Sequence, residues 1–331
     1  MDVFAVPYEV EAQYVYMAAS MGIVPGIPDY VEPADILRDA DLAMYEAKAL
    51  GKARYVVFTP ELRASALDRL MLEKDLRLAM EKSELHLNYQ PILNLVDGTV
   101  SGFEALLRWR HASHGMISPG TFVPIAEANG MIIPITFWVL GEAIQQLAAW
   151  KKQFPAIPLS IAVNLSARLF SQPDLMHSID QLLAAAQLPP ADLVLEITES
   201  AIIQDTSVAI KILQACRDKG IRVHMDDFGT GYSSLSYLHN FPLNALKVAQ
   251  DFVMRIQPGG ENSEIVRTIV TLARDLGLEV IAEGIETPAQ MEYIRQLGCQ
   301  GGQGFYISRP LAPEEAGRFI SRHSFSRIQN S

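Results

Sequence analysis

Several apolar stretches of this chain end in groups that can bind cations or move protons. The stretch Val100–Trp109 carries Glu104 and Arg108, four residues apart and so on one face of a strand. Leu159–Leu165 closes on Asn164-Leu165-Ser166, and Leu193–Thr198 carries Glu196 and is followed by Glu199. Ile221–Asp226 delivers the pair Asp226-Asp227. Ala245–Ala249 holds Lys247, Glu279–Ala282 leads into Glu283 and Glu286, and Gln303 stands beside Gly304–Ile307. Each signal has an ordinary reading when taken alone. Asp226-Asp227 is then a turn or helix N-cap pair, Lys247 a surface charge and Asn164 a turn residue. Their convergence is the informative feature. Glu104, Glu196, Asp226, Asp227 and Glu283 at one mouth would repel one another and resist burial. One lysine and one arginine cannot neutralise them, whereas bound divalent cations can. An all-oxygen ligand set of carboxylates plus the Asn164 amide favours Mg²⁺ or Mn²⁺ over zinc. Of the seven histidines, His224 alone falls beside a site position, two before Asp226, and reads as structural.

Two hard cations in such a mouth suit hydrolysis of a phosphate ester. Lys247 would position the water or balance transition-state charge. Glu283 would act as ligand or general base, and Arg108 would contact a phosphate.

The elements that must position these groups have a regular rhythm. Eight β-prone runs follow one another: Leu85–Ile92, Val100–Trp109, Leu159–Leu165, Leu193–Thr198, Ile221–Asp226, Ala245–Ala249, Glu279–Ala282 and Gly304–Ile307. Helical patterns at Ile125–Trp150, Leu175–Ala186, Val208–Lys219, Glu264–Leu276 and Pro288–Leu297 separate most of them. Strands alternating with helices imply parallel β/α units, and eight imply a barrel. The first two runs are joined only by Asn94-Leu95-Val96-Asp97-Gly98, whose length and Asp-Gly dipeptide fit a hairpin. The expected fold is therefore α/β, a modified TIM (β/α)8 barrel with one antiparallel strand. A small N-terminal α/β fragment and a connecting helix precede it. The spacing places the fragment at 1–60, the connector at 61–81 and the barrel at 82–325. Within the fragment, Gln13–Ile23 and Arg54–Phe58 read as strands and Pro33–Leu50 as a helix.

Composition excludes several alternatives. The 331 residues are 49% hydrophobic and 20% charged, enough to bury a sizeable core. A net charge of −11 argues against electrostatic binding of DNA. Two cysteines cannot form a disulfide scaffold, and they read as reduced thiols. The most apolar run, Met131–Leu140, is too short to span a bilayer and is interrupted by Pro134. Cytoplasmic placement is expected, alone or as the cytoplasmic part of a longer, membrane-bound protein.

The same residues resemble a known family. Glu104-Ala105-Leu106-Leu107-Arg108 resembles the signature that names the EAL-domain cyclic di-GMP phosphodiesterases. Accompanying motifs match in order. They are Tyr89-Gln90-Pro91, Asn164-Leu165-Ser166, Glu196-Ile197-Thr198-Glu199, the Asp226–Leu235 segment, Ala282-Glu283-Gly284-Ile285-Glu286 and Gln303-Gly304-Phe305. The resemblance covers about residues 68–322. It implies hydrolysis of cyclic di-GMP to linear pGpG with two Mg²⁺ or Mn²⁺ ions, in a homodimer formed through the barrel. Glu104, Asn164, Glu196 and Asp226 are similar to ligands of the first metal. Asp226, Asp227 and Glu283 resemble the surroundings of the second, with Glu283 also similar to the general base. Lys247 resembles the lysine that contacts the catalytic water. Gln90 and Arg108 are similar to substrate-contacting positions, and Gln303 and Glu286 to supporting active-site residues. Asp226–Leu235 resembles the family's flexible loop, anchored by Glu199.

One position departs from this pattern. The family carries Lys-x-Asp on the sixth strand, where this chain reads Lys247-Val248-Ala249. A second reading, a cyclic di-GMP receptor with weak or no catalysis, rests on that alanine. The N-terminal stretch from Asp39 to Lys48, with Gly51 to Tyr55, resembles the end of a GGDEF diguanylate cyclase domain. The signature of that domain is absent from this chain, so no cyclase activity is expected of it.

Overall fold

The computed structural model describes residues 8–10, 13–15, 17–26, 30, 32–49, 53–204, 206–229, 238, 241–256 and 261–324. The chain divides into two compact units, Met1–Leu78 and Ala79–Ser331.

In the first unit, β1 (Tyr8–Val10) and β2 (Gln13–Val15) form an antiparallel pair. Strand β3 (Met21–Ile23) pairs in parallel with β4 (Tyr55–Val57) across helix α1 (Pro33–Ala49). The expected strand Gln13–Ile23 is thus two separate strands, β2 and β3, which belong to different sheets. Helix α2 spans Pro60–Ala79. The buried Asp39 of α1 accepts hydrogen bonds from Tyr30 Oη at 2.5 Å and from Arg63 Nε of α2 at 3.2 Å. These bonds compensate the cost of burying the carboxylate.

The second unit is the expected barrel. Its strands are β5 (Leu85–Asn94), β6 (Val100–His111), β8 (Ser160–Asn164), β9 (Leu193–Thr198), β10 (Arg222–Phe228), β11 (Ala245–Val248), β12 (Glu279–Ala282) and β13 (Gly301–Gly302). They close into a ring because β5 pairs with both β6 and β13, antiparallel in each case. All other neighbours in the ring are parallel. The Asp97-Gly98 turn between β5 and β6 is the source of the one reversed strand. A short strand β7 (Gly115–Ile117) adds to β6 outside the ring.

Helices α3 (Pro119–Asn129), α4 (Ile132–Gln153), α5 (Leu175–Ala186), α6 (Glu199–Gln204), α7 (Thr206–Lys219), α8 (Gln250–Met254), α9 (Glu261–Asp275), α10 (Pro288–Leu297) and α11 (Pro313–Ser324) complete the unit. Where the sequence predicts one helix over Ile125–Trp150, there are two. Gly130 closes α3 in the left-handed conformation at φ 82°. Pro134 does not interrupt α4. It lies in the first turn, where its missing N–H removes no helical hydrogen bond. Helix α4 is long and apolar enough to cross a membrane. Its Ile135, Val139, Leu140, Ala143, Ile144, Leu147 and Trp150 are buried at helical spacing, as in a helix of the barrel wall.

The barrel interior is built in two rows. Ile92, Ala162, Val194, Ala245 and Ile281, from five strands, form a buried apolar cluster. Successive side chains alternate faces, so residues two apart share the interior. Two positions further toward the mouth, the same strands therefore carry Gln90, Asn164, Glu196, Lys247 and Glu283. The apolar row supports the polar row from below.

The eighth strand is not where the sequence placed it. Gly304–Ile307 is a turn segment, and the strand is Gly301–Gly302. Two glycines carry no hydrophobic signal, but the close packing here demands them. A Cβ on Gly301 would lie 2.9 Å from Ile281 Cγ1, and one on Gly302 would lie 2.9 Å from Ile285 Cδ1. Gly301→Val is expected to lower stability by roughly 1–3 kcal/mol through overpacking. Urea denaturation followed by circular dichroism checks this, and an unchanged midpoint would refute the close-packing account.

Candidate active site

Lys247 leaves the middle of β11 and is fully buried at the centre of the mouth. Its ammonium lies 2.6 Å from Glu283 Oε1, 2.7 Å from Glu196 Oε2, 3.2 Å from Asp226 Oδ1 and 3.5 Å from Glu104 Oε2. Four strands thus converge on the strand that carries one positive charge. Gln303 donates from Nε2 to Glu104 at 2.8 Å and to Glu283 at 3.2 Å. Asn164 donates from Nδ2 to Glu104 at 2.7 Å, leaving its carbonyl oxygen free of that bond.

The two consecutive acids on β10 need a special backbone. In a regular strand, Asp226 and Asp227 would point to opposite faces. The register against β11 shifts between Met225 and Phe228, and Asp227 adopts the left-handed conformation at φ 53°. Aspartate is among the few residues that tolerate this conformation. Its consequence is that Asp226, Asp227 and Glu283 each present an oxygen, all within 4.8 Å of one another. These three residues could hold a metal ion.

The electrostatics divide the carboxylates. Burial opposes the charge on Glu104, but Lys247 and the bonds from Gln303 and Asn164 outweigh it and hold its pKa below the usual carboxylate value. Burial pushes Glu196 well above that value, with Glu104, Asp226 and Glu283 adding to the effect against Lys247. Burial likewise raises Glu283 to about 8, opposed by Lys247 and reinforced by Asp226 and Glu104. Asp227 is raised by burial and by Asp226. Burial works against the charge on Lys247, yet the surrounding carboxylates carry its pKa well above 10.5.

A cleft of about 330 Å³ opens above this cluster. Gln90, Arg108, Glu286 and Gln303 line it together with Glu104, Asp226, Asp227 and Glu283, so the structure brings these expected residues together. Glu286 is exposed, and its backbone N–H is bound by Gln290 Oε1 at 2.8 Å. Glu199 is buried outside the cleft and accepts from the Gly229 N–H at 3.4 Å. The expected loop Asp226–Leu235 runs from there into residues 230–237, which lie outside the described residues. Lining residues to which the sequence reading gave no role are Leu106, Gln250, Gly284, Gly304, Phe305 and Pro310. Phe305 is 48% exposed, with the Arg309 guanidinium 4.3 Å from its ring centre. The sequence reading put Phe305 in the Gln303-Gly304-Phe305 motif and on a strand, whereas it lies in the turn after β13.

The residues present fit divalent cations. Among the described residues Glu196 Oε1 is buried without a hydrogen-bond partner, Asn164 Nδ2 but not its oxygen is engaged by Glu104, and the oxygens of Asp226, Asp227 and Glu283 converge. This donor set is all oxygen, the preference of hard cations.

The fold is a closed β/α barrel with one reversed strand and an acidic, lysine-centred mouth that could hold a cation. The sequence model of the EAL domain matches residues 73–310, and the chain belongs to the EAL-domain family. It is 40% identical over 309 residues to the bifunctional diguanylate cyclase/cyclic di-GMP phosphodiesterase MucR of Pseudomonas aeruginosa, covering 93% of this chain and 45% of that protein. It is 35% identical over 317 residues to the cyclic di-GMP phosphodiesterase PdeR of Escherichia coli, covering 96% of this chain and 48% of that protein. The chain therefore spans less than half the length of these curated relatives. A solved structure of the PaMucR phosphodiesterase in complex with c-di-GMP superposes with a TM-score of 0.70. It is 42% identical, covering 74% of this chain and 99% of that one.

The raised carboxylates give a pH signature. In chelator-treated protein, folded Glu196 and Glu283 keep protons that the unfolded chain releases near pH 4.5. Stability then falls as pH rises from about 4.5 through about 8, because the folded state binds more protons in that window. Glu283→Gln is expected to flatten part of this fall. Urea midpoints at pH 5 and pH 8 for both proteins test it, and an equal fall in the two would remove Glu283 as a contributor.

Proposed function

We propose that the barrel hydrolyses cyclic di-GMP to linear pGpG with two Mg²⁺ or Mn²⁺ ions. The observation that carries this reading is the buried Lys247 ammonium within 3.5 Å of four carboxylates at the floor of the cleft. The likeness to the solved phosphodiesterase complex, over 99% of that chain, supports the choice of substrate.

Glu104, Asn164, Glu196 and Asp226 would hold the first cation, and Asp226, Asp227 and Glu283 the second. When bound, such ions supply charge neutralisation for the phosphate and acidify a water. The chain's own residues do the rest. Arg108, at the rim, binds a non-bridging phosphate oxygen. Gln90, on β5, and Gln303, directly after the neighbouring β13, position the substrate. Glu283 would accept the proton of the attacking water. Lys247 holds a permanent positive charge beside the developing negative charge. Glu286 supports the rim, and Glu199 anchors the segment after Asp227.

The expected outcome is formation of pGpG by the purified chain in Mn²⁺ or Mg²⁺, lost in excess chelator and reduced at least 100-fold by Glu104→Ala. Anion-exchange chromatography of the products measures it. Full turnover in chelator would defeat the proposal.

Ala249 favours a second reading, a receptor that binds cyclic di-GMP and turns it over slowly. Ala249 is 2% exposed at the start of α8 and offers no oxygen to the cluster. The two readings separate on one comparison. If wild type makes pGpG readily and Ala249→Asp changes the rate less than about threefold, the enzyme reading stands. Binding without turnover in wild type, with hydrolysis restored by Ala249→Asp, establishes the receptor reading.

The N-terminal unit reads as the closing part of a GGDEF-type domain. The β3–α1–β4 unit and the span of the match to a relative named as bifunctional support this.

A further inference from the structure

A second cleft, of about 370 Å³, opens between helices α4 and α11. It matches the active-site cleft in size and shares no lining residue with it. Clefts of this size take small organic molecules. Trp150 of α4 lines it and is 2% exposed. The indole packs edge-on against Tyr89, with ring centroids 4.9 Å apart, and against Phe103 at 4.8 Å. Those contacts fix the ring. Its nitrogen faces α11, where a Cβ on Gly317 would stand 3.8 Å from Nε1. Buried tryptophan N–H groups usually find an acceptor. Trp109 does so, donating to Glu84 Oε2 at 3.1 Å. Among the described residues, the Trp150 N–H has no such acceptor. Indole nitrogen is a donor only, so the cleft calls for an acceptor from outside the chain.

The other polar groups of the cleft agree. Arg318, the residue after Gly317, brings a guanidinium that also only donates, and Gln146 and Gln153 bring amides. Ala149 and Pro313 supply apolar wall. Glu314 is the one acidic residue of the lining and stands a turn before Arg318. A ligand with one negative charge pairs with Arg318, whereas a second charge meets Glu314. Gly317 keeps the space over the indole open.

We propose that this cleft binds a small monocarboxylate with an apolar body. The carboxylate accepts from Trp150 Nε1 and faces Arg318, and the body lies against Ala149 and Pro313. The site is independent of the reaction proposed above.

The test uses benzoate as the probe and the ¹⁵N-labelled chain. Its three tryptophans, Trp109, Trp138 and Trp150, give three indole N–H signals. Trp150 is identified by nuclear Overhauser contacts to the Tyr89 and Phe103 rings. Benzoate is expected to shift the Trp150 signal saturably, with a Kd on the order of 1 mM for so small a molecule, and to leave the other two in place. Benzylammonium, of similar size and opposite charge, is expected to leave all three in place. Gly317→Leu, which fills the cleft, is expected to abolish the shift. Arg318→Ala, at an exposed position, is expected to weaken binding about fivefold. No saturable shift, an equal response to benzylammonium, or a response that survives both substitutions overturns the proposal. Phenyl phosphate, mostly a dianion at neutral pH, is expected to bind more weakly than benzoate. Equal or tighter binding of it overturns the monocarboxylate assignment.

Discussion

The buried ammonium of Lys247 is the interaction on which the site depends. Like charges at the distances seen here repel by roughly 4 kcal/mol per pair at an effective dielectric near 20. Carboxylates brought together without a cation would therefore destabilise the barrel or take up protons. The lysine lets Glu104, Glu196, Asp226 and Glu283 converge within 3.5 Å of one atom. Convergence of that kind requires strands that meet at one height. A closed ring supplies it, because each strand offers an inward position at the same level, supported by the apolar row of Ile92, Ala162, Val194, Ala245 and Ile281. The compensation is incomplete, and the incompleteness is useful. Glu104, hydrogen-bonded by Gln303 and Asn164, stays readily ionised, while Glu196 and Glu283 hold protons more tightly. One fold thus holds both a fixed anion and carboxyls that keep their protons.

The second constraint lies in the backbone of β10. A regular strand cannot present two consecutive side chains to one face. The register shift and the left-handed Asp227 remove that restriction at the strand end, where ladder bonding is already finishing. The same irregularity turns the chain toward Gly229, whose N–H is held by Glu199. Geometry at the mouth and the path of the following segment are therefore set by one local distortion.

Much of this was legible in the sequence because its physics is periodic. Alternating apolar residues mark β5 through β12, and the polar exceptions at Glu104, Glu196, Asp226 and Lys247 stand out against them. The Asp97-Gly98 turn announces the reversed strand. The failures are equally physical. Gly301-Gly302 is a strand by packing demand and not by propensity, so its composition is silent. Pro134 reads as a breaker until its place in the first turn is known. Gly130 splits a continuous apolar pattern through a backbone angle that no hydrophobic period encodes. Gln250 and Phe305 reach the cleft from the first position of α8 and from the turn after β13, whose paths depend on tertiary packing.

Ala249 is best understood within the same charge balance. It follows β11 in extended conformation, at φ −53° and ψ 140°, and it shares the parity of Lys247. An aspartate there would bring a sixth carboxylate toward a mouth where four already surround one ammonium and a fifth, Asp227, stands beside Asp226 and Glu283. It would strengthen a cation site beside Asp227 and Glu283. It would also raise the proton affinity of Glu283 further in the absence of that cation. The alanine reverses both effects: it costs an oxygen ligand and relieves repulsion on the neighbouring acids. Its net effect on turnover depends on which of these limits the reaction. A site limited by cation occupancy is weakened by the alanine, whereas one limited by release of the Glu283 proton is not.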